Sequence, residues 1–479
     1  MTRVTVDEDA YDSVQFARLT RSQTRKIHWA SLEILERIGV RLHDQEAIDL
    51  LRKGGADVVD GDLVYVPAGM VEKAFSTAPE RVVLHDRHGE PVMPVEGERC
   101  FYGPGSDTLN IVDHRTDERR KPVRQDVVEG AIVCDALPNV DFLMSMVLPT
   151  DVDQTRADRH QMQAMLTNST KPIVCVAYEQ QGLVDAVEMA EVVAGGADEL
   201  RRRPSLTCYI NVISGLNHNE EALAKLLFLS GKGLPSMYIP STMAGVTSPI
   251  TPVGAIALDN AGVLVGLVLS QLKHEGAPYI MPGMPPSPMD MSTMTAPYAD
   301  PERGIFQSLA RMYGLPAFGL GGASDAKVVD QQAGAEAALT LLAESLVGGN
   351  IIHDLGYLES GLTFSLAQLA ICDDIVGWVG AFMRGVEVSD ETLALDVIEA
   401  VGHEGDYLAT EHTLEHFREI WYPQLFERQT YGSWQERGAT TLAERAAARV
   451  DRILDEHRAE PLPEDATRRL AEIVERAGA

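Results

Sequence analysis

No two of the five cysteines (Cys100, Cys134, Cys175, Cys208 and Cys372) stand at C-x-x-C spacing, which argues against a zinc knuckle and offers no disulfide framework. They read as buried thiols in a reducing compartment. Basic residues are scarce: 41 Lys and Arg against 71 Asp and Glu leave a formal net charge of −30. Nucleic acids and anionic membrane surfaces are polyanions gripped through Lys and Arg, so neither is expected as a partner. A cationic or small neutral ligand fits better. Long apolar runs are missing too. The N-terminus, MTRVTVDEDAYDSVQFARLT, has acids where a secretion signal needs unbroken apolar residues, so the protein is expected to stay in the cytoplasm. The most apolar window, Val253 to Leu272, contains Asp259 and Asn260 and reads as a buried helix rather than a membrane span. No G-x-x-x-x-G-K-[ST] occurs anywhere, and no G-x-G-x-x-G follows the first strand.

What is present is a regular alternation. Short apolar runs flanked by Pro and Gly recur at CFYGPG, DFLMSMVLP, PIVCVAY, SLTCYINVIS, SMYIP, APYIMPG, LPAFGLGG and GNIIHD. Each leads into a longer stretch with apolar residues at helical spacing. About eight strand-then-helix units, roughly 30 to 42 residues apart, match the βαβ step. The predicted fold is therefore α/β, a (β/α)8 TIM barrel over residues 97–385. Residues 1–96 form an N-terminal helical arm and β-rich cap whose D-G step suggests a hairpin. Residues 386–479 form a C-terminal helical extension packed on the barrel. An open doubly wound sheet is the alternative; the missing dinucleotide fingerprint counts against it.

In such a barrel the chemistry sits at the carboxyl ends of the strands. That rule collects Tyr102 with Ser106 and Asp107, Tyr178 with Glu179, Asn211 and Ser214, Ser241 and Thr242, Ser324 and Asp325, and His353 and Asp354 with Tyr357 and Glu359. In the fourth run Thr207, Tyr209 and Asn211 share one parity and Leu206, Cys208, Ile210 and Val212 the other. The helix-facing side must be apolar, so the polar series is expected to face the lumen. By parity His353 travels with Ile351, and Asp354 with Ile352; only one set faces inward unless a bulge intervenes.

Two local motifs have competing readings. GLGGASD places Gly321 and Gly322 where many barrels bind phosphate, and where a backbone could approach a large flat cofactor; close packing explains the same glycines. HTLEH, His412 to His416, matches H-x-x-E-H, with both histidines on one helix face. It lies beyond the barrel among solvating charges, and no metal site is assigned to it. His85, His88 and His218 lack companion ligands at metal spacing and read as surface or capping residues.

YGPGSDTLNIVD, TSPITPVGAIALDNAGVLVGLVLSQL, SDAKVVDQQAGAEAALTLLAESLVGGN and EHTLEHFREIWYPQLFERQTYGSW together resemble the trimethylamine methyltransferase family, over most of the chain. The resemblance implies a (β/α)8 barrel that passes a methyl group from an amine to cobalamin, a corrinoid carried on a separate small protein. Members acting on trimethylamine carry pyrrolysine. This sequence holds only the common twenty residues, and so is similar to the branch without pyrrolysine, which demethylates quaternary amines such as glycine betaine.

A quaternary ammonium leaves as a neutral tertiary amine, so the protein must mainly hold the cation, anchor the carboxylate and align the C–N bond. Aromatic faces hold such cations at about 0.5–2 kcal/mol each. Aromatics are only 6% of the chain, yet Tyr102, Tyr178, Tyr209, Tyr238, Tyr279, Phe318 and Tyr357 fall near strand ends. His353 is expected at the catalytic centre, donating to the substrate carboxylate or pairing with Asp354 or Glu359. The expected substrate contacts are Tyr102, Tyr178, Glu179, Tyr209, Asn211, Ser324, Asp325, Tyr357 and Glu359; Gly321 and Gly322 are expected at the cofactor. A corrinoid-binding protein and further copies of the chain are the expected partners. Two other classes stay open: a betaine-binding regulatory barrel without turnover, and a metal-dependent hydrolase. The hydrolase would need His, Asp and Glu at several strand ends.

Overall fold

The computed structural model describes residues 16–284 and 287–477. Its centre is a curled sheet of seven parallel strands: β1 Phe101–Pro104, β2 Ile173–Cys175, β3 Leu206–Val212, β4 Ser236–Pro240, β5 Tyr279–Pro282, β6 Ala317–Leu320 and β7 Ile351–Leu355, in the order β1-β7-β6-β5-β4-β3-β2. These are seven of the eight apolar runs. The other, DFLMSMVLP, forms no ladder. It is laced to both edges of the sheet instead: Asp141 N donates to Tyr102 O (2.6 Å) and Met146 N to Gly105 O (3.0 Å) beside β1. Leu143 N donates to Pro172 O (2.9 Å), and Leu143 O accepts from Val174 N (2.8 Å), beside β2. Met146 at φ +63° explains the irregularity, because a left-handed residue interrupts the extended backbone a ladder requires.

Alternation decides what the curled sheet encloses. Phe101, Val174, Met237, Ile239, Ile280, Phe318 and Ile351 form one apolar cluster with Phe142 and Met144 of the irregular segment. The hairpin of Val82–His85 and Pro91–Val95 inserts Val82, Leu84, Met93 and Val95 into the same cluster. The hairpin thus plugs the end where the strands begin. Polar groups are left for the other end.

Helices cover the outside. Pro252–Lys273 is apolar on nearly every face because the cap helices Arg21–Arg37, Gln45–Gly54 and Ala68–Thr77 pack over it. The adjacent polar pair in its middle is partnered: Asn260 Nδ2 donates to Ser31 Oγ (2.9 Å), and Asp259 Oδ2 accepts from Thr242 Oγ1 (2.9 Å). This helix and Leu366–Met383 are each long and apolar enough to cross a membrane, but in both 83% of the apolar window is buried within the chain. The D-G step turns between antiparallel strands Asp57–Val59 and Leu63–Tyr65, with Asp60 and Gly61 both at positive φ. His218 departs from its surface reading. It is fully buried, stacked on Tyr238 with Nδ1 2.7 Å from the Tyr238 hydroxyl. All five cysteines are buried.

At the other terminus, Leu442–Glu456 packs on Leu366–Met383, and Glu464–Arg476 packs on Ala157–Asn168 and Gln180–Ala194. The connecting stretch carries four short helices, Asp390–Leu393, Leu395–Val401, Glu411–His416 and Tyr431–Glu436, and none of them has a buried side chain.

Candidate functional site

The site begins with a fault in β7. Its pairing with β1 slips between Ile352 and Leu355, and Asp354 takes φ +81°. A regular strand would send His353 and Asp354 to opposite faces; the bulge lets both serve the same side. His353 Nε2 lies 3.3 Å from Asp354 Oδ1, and both side chains are buried. His353 Nδ1 is 2.7 Å from Gly319 O. A carbonyl only accepts, so Nδ1 carries the ring proton and Nε2 of the neutral ring presents its lone pair to Asp354. Burial pulls the His353 pKa down to about 4, which keeps the ring neutral at pH 7. Burial pushes the Asp354 carboxyl well above the usual range, with Arg303 opposing. The proton between Nε2 and Oδ1 therefore stays on the acid.

Rings surround the pair. Phe318 lies 4.1 Å from His353 between centroids, Tyr209 lies 5.5 Å from Phe318 and 6.1 Å from His353, and Tyr298 lies 6.5 Å from Tyr357. Tyr298 comes from the long loop after β5. Arg303, also buried, binds that loop through Tyr298 O (2.5 Å) and the sheet through Leu320 O. Tyr357 donates its hydroxyl to Ser106 O. Gly105 fits against both groups: a Cβ built there would lie 2.1 Å from Asp354 Oδ1 and 2.3 Å from Tyr357 Cζ.

A second acid stands nearer the rim. Asp107 Oδ1 accepts from Ser145 Oγ and Gln161 Nε2, both at 2.8 Å, and the Tyr178 hydroxyl also bonds this carboxyl. Burial raises its pKa to about 6 against the pull of those donors. Tyr178 itself is 43% exposed, at the outer side of this carboxyl.

The structure brings His353, Tyr209, Tyr178 and Tyr357 of the expected residues into or beside this cluster. Asn211, on the Tyr209 parity, is exposed at the end of β3. Others point elsewhere. Tyr102 turns outward, its hydroxyl 2.8 Å from Ser345 Oγ in helix Gln331–Leu346. Tyr238 and Tyr279 also face the helix layer, bonding His218 and Val263 O. Glu179 pairs with Arg159 (3.0 Å), and Glu359 with Arg119 (2.8 Å). Ser324 Oγ donates to Glu336 (2.6 Å). Asp325 anchors the Tyr298 side of the ring, accepting from Tyr298 N (2.9 Å) and Ser360 Oγ (2.7 Å). Gly321 and Gly322 are buried where added Cβ atoms would meet Ile352 and Leu355; they provide close packing between strand and helix. Sequence reasoning missed Tyr298, Arg303 and Gly105. The first two lie about twenty residues beyond β5, outside any strand-end window. The third had a signal, the G-P-G step.

A model of the trimethylamine methyltransferase family matches residues 10–479. The chain belongs to that family. Its relatives include the trimethylamine methyltransferase MttB of Desulfitobacterium hafniense, 34% identical over 454 residues that cover 94% of this chain and 91% of the relative. The glycine betaine methyltransferase of the same species is 32% identical, covering 91% and 92%. The trimethylamine methyltransferase MttB of Methanosarcina barkeri is 31% identical, covering 98% and 97%. The family resemblance read from the four motifs is thereby borne out, and the chain is a methyltransferase. Among solved structures, the hydroxylamine complex of MtmB superposes with a TM-score of 0.51 at 12% identity, covering 96% of this chain and 89% of that one. The Methanosarcina barkeri monomethylamine methyltransferase does so at 0.50 and 10% identity, covering 97% and 89%. At such identities the likeness concerns the fold, a curled parallel sheet within a mixed α/β architecture.

Proposed function

We propose that this methyltransferase takes a methyl group from a quaternary ammonium compound of the betaine class and delivers it to a corrinoid carried by a partner protein. The observation that carries the reading is the buried Asp354 carboxyl inside a ring of Tyr209, Phe318, Tyr298 and Tyr357. A quaternary nitrogen has no N–H to offer. It is held by aromatic faces, about 0.5–2 kcal/mol each when desolvated, and by the field of a carboxylate. Arrival of a permanent cation favours the ionised form of Asp354. The glycine betaine methyltransferase among the relatives points to the same substrate class.

A cob(I)alamin brought by its carrier supplies the nucleophile; this chain's residues bind and orient the donor and exclude water. The rim fits a carrier. Ile213, Val246, Ile250, Met291 and Met294 follow β3, β4 and β5 and are each at least half exposed. A Cβ added at Gly245 would meet both Ile250 and Met291, so these side chains are neighbours. Adaptable methionines at an apolar rim suit a partner that docks and leaves. The segment Asp141–Val147, bonded to both sheet edges, favours reading the sheet as a closed (β/α)8 barrel over residues 97–385, with residues 1–96 and 386–479 as its flanks. Exposed Val386, Val388, Leu408 and Leu414 suit a contact with another copy of the chain. Among the described residues, the one group of three His, Cys, Asp or Glu close enough to hold a metal lies in the C-terminal extension, which counts against a barrel hydrolase.

The test mixes the protein with cob(I)alamin and, in turn, glycine betaine, proline betaine, carnitine and trimethylamine. The corrin absorption is expected to change with one quaternary amine and not with trimethylamine. Clear binding of a betaine without any change in the corrin spectrum would favour the regulatory reading instead. Affinity is also expected to depend on pH. Asp107 keeps its proton up to about pH 6, and a cation favours the carboxylate, so below pH 6 binding must displace that proton. The betaine Kd should therefore rise more steeply with falling pH below about 6, where Asp107 takes up its proton as well as Asp354, than above it. Calorimetry in buffers of different ionisation enthalpy should detect the released protons; a Kd whose pH slope does not steepen below about 6 would remove Asp107 from the site.

A further inference from the structure

The four short helices between residues 386 and 440 raise a physical problem. Isolated helices shorter than ~12–15 residues are marginal in water, and none of these buries a side chain. The H-x-x-E-H motif lies on one of them, Glu411–His416. The His412 and His416 rings lie side by side on its surface, 4.4 Å between centroids. Glu391 arrives from a different helix, with Oε1 3.8 Å from His416 Nε2. One ligand atom from each of Glu391, Glu415 and His416 lies within 4.8 Å of the others.

We propose that Glu391, Glu415 and His416, joined by His412, bind a divalent cation of the zinc class that staples helix Glu411–His416 to helix Asp390–Leu393. Three features support this over an ordinary surface ion pair. His416 Nδ1 lies 2.9 Å from Glu419 Oε1, the carboxylate–histidine pairing that fixes a ligand ring and turns the Nε2 lone pair toward a metal. Nε2 of both histidines is shielded from solvent, with no hydrogen-bond partner in the chain. Two carboxylates of like charge are drawn together beside those nitrogens, an arrangement a dication favours. Tetrahedral zinc takes Zn–N and Zn–O distances near 2.0–2.2 Å, which puts ligand atoms roughly 3.3–3.6 Å apart. The Glu391, Glu415 and His416 atoms, within 4.8 Å of one another, need to close by up to roughly 1.5 Å, and His412, on the same helix face as His416, completes the set by turning its ring toward them. Two His and two carboxylates suit zinc in preference to magnesium or calcium, which prefer oxygen alone. The group ties together two short helices that bury no side chain, so its role is to order the extension.

The test uses the untagged full chain, treated with chelator, dialysed and titrated with Zn²⁺ alone by calorimetry. A parallel titration with Co²⁺ is read through its visible ligand-field bands. About one equivalent should bind, with the band intensity of four-coordinate cobalt. Glu419→Gln should weaken binding about 10- to 100-fold, and His416→Ala and Glu391→Gln more. His88→Ala, a histidine beside Glu460 (3.7 Å) in a separate surface pair, should bind as the unaltered chain does. Zinc should also slow proteolysis within residues 386–440. No saturable uptake, or uptake undiminished in both His416→Ala and Glu391→Gln, overturns the site and leaves a protonated His416 held by its acids. Neither substrate nor corrinoid enters the measurement, so its outcome is separate from that of the methyl-transfer assay.

Discussion

Asp354→Asn is expected to raise the KM for the betaine by about 30- to 100-fold, equivalent to ~2–3 kcal/mol, without lowering kcat and without lowering the melting temperature. The split follows from where charge resides. A quaternary nitrogen is fully cationic in the ground state and loses its charge as the C–N bond breaks. A carboxylate beside it therefore stabilises the bound substrate at least as much as the transition state. Removing it costs affinity, and uniform binding appears in KM rather than kcat. Stability is preserved for two separate reasons. Asp354 sits at φ +81°, and Asn is among the few side chains that tolerate the left-handed region. Burial disfavours the ionised carboxyl in the free protein, so a neutral amide of the same shape removes no favourable buried charge. Steady-state kinetics and thermal melting check both halves. A kcat reduced 100-fold with KM unchanged would mean that Asp354 acts on the transition state and not on the bound cation.

The same residue shows how far the sequence could be read. Strand order follows from patterning, because an apolar run flanked by Pro and Gly in a parallel sheet has few alternative structures; seven of eight runs became strands. DFLMSMVLP did not, since left-handed Met146 breaks its extension, and no rule of composition marks it. Parity placed Tyr209 inward with Thr207 and Asn211, yet the same strand-end logic gathered Tyr102, Tyr238 and Tyr279, whose hydroxyls reach the helix layer. For those three the flanking residues are apolar on both parities, so alternation carried no direction. The bulge that unites His353 with Asp354 is a tertiary event, stabilised by pairing with β1 and by contact with Gly105. Tyr298 reaches the cluster by a loop tied down at Asp325. Asp325 was expected to touch substrate, and its two oxygens hold backbone and Ser360 instead. Loop anchors and ligand contacts use the same residue types, which is why composition cannot separate them.

Gly105→Ala is expected to abolish measurable methyl transfer, at least a 100-fold loss, and to cost about 1–3 kcal/mol of stability. The added methyl would lie 2.1 Å from Asp354 Oδ1, 2.3 Å from Tyr357 Cζ and 2.4 Å from Tyr357 Oη, all far inside van der Waals contact. Neither neighbour is free to yield. The Tyr357 hydroxyl is bonded to Ser106 O, one residue from the substitution, and Asp354 is fixed by the bulge in β7. The Gly105 carbonyl also accepts from Met146 N (3.0 Å), so backbone retreat would unlace the segment Asp141–Val147 from β1. Displacement must fall on the ring of aromatics or on the acid inside it, and a shift near 1 Å at a positioning group is worth about 10²-fold in rate. Gly69→Ala, with nothing within 4 Å of its added Cβ in helix Ala68–Thr77, should be neutral or slightly stabilising and serves as the matched control. Activity assays beside denaturant melts of both variants decide the matter. A Gly105→Ala protein with ordinary turnover would show that Asp354 and Tyr357 do not bound the substrate, and the site would have to be sought nearer Asp107 and Tyr178.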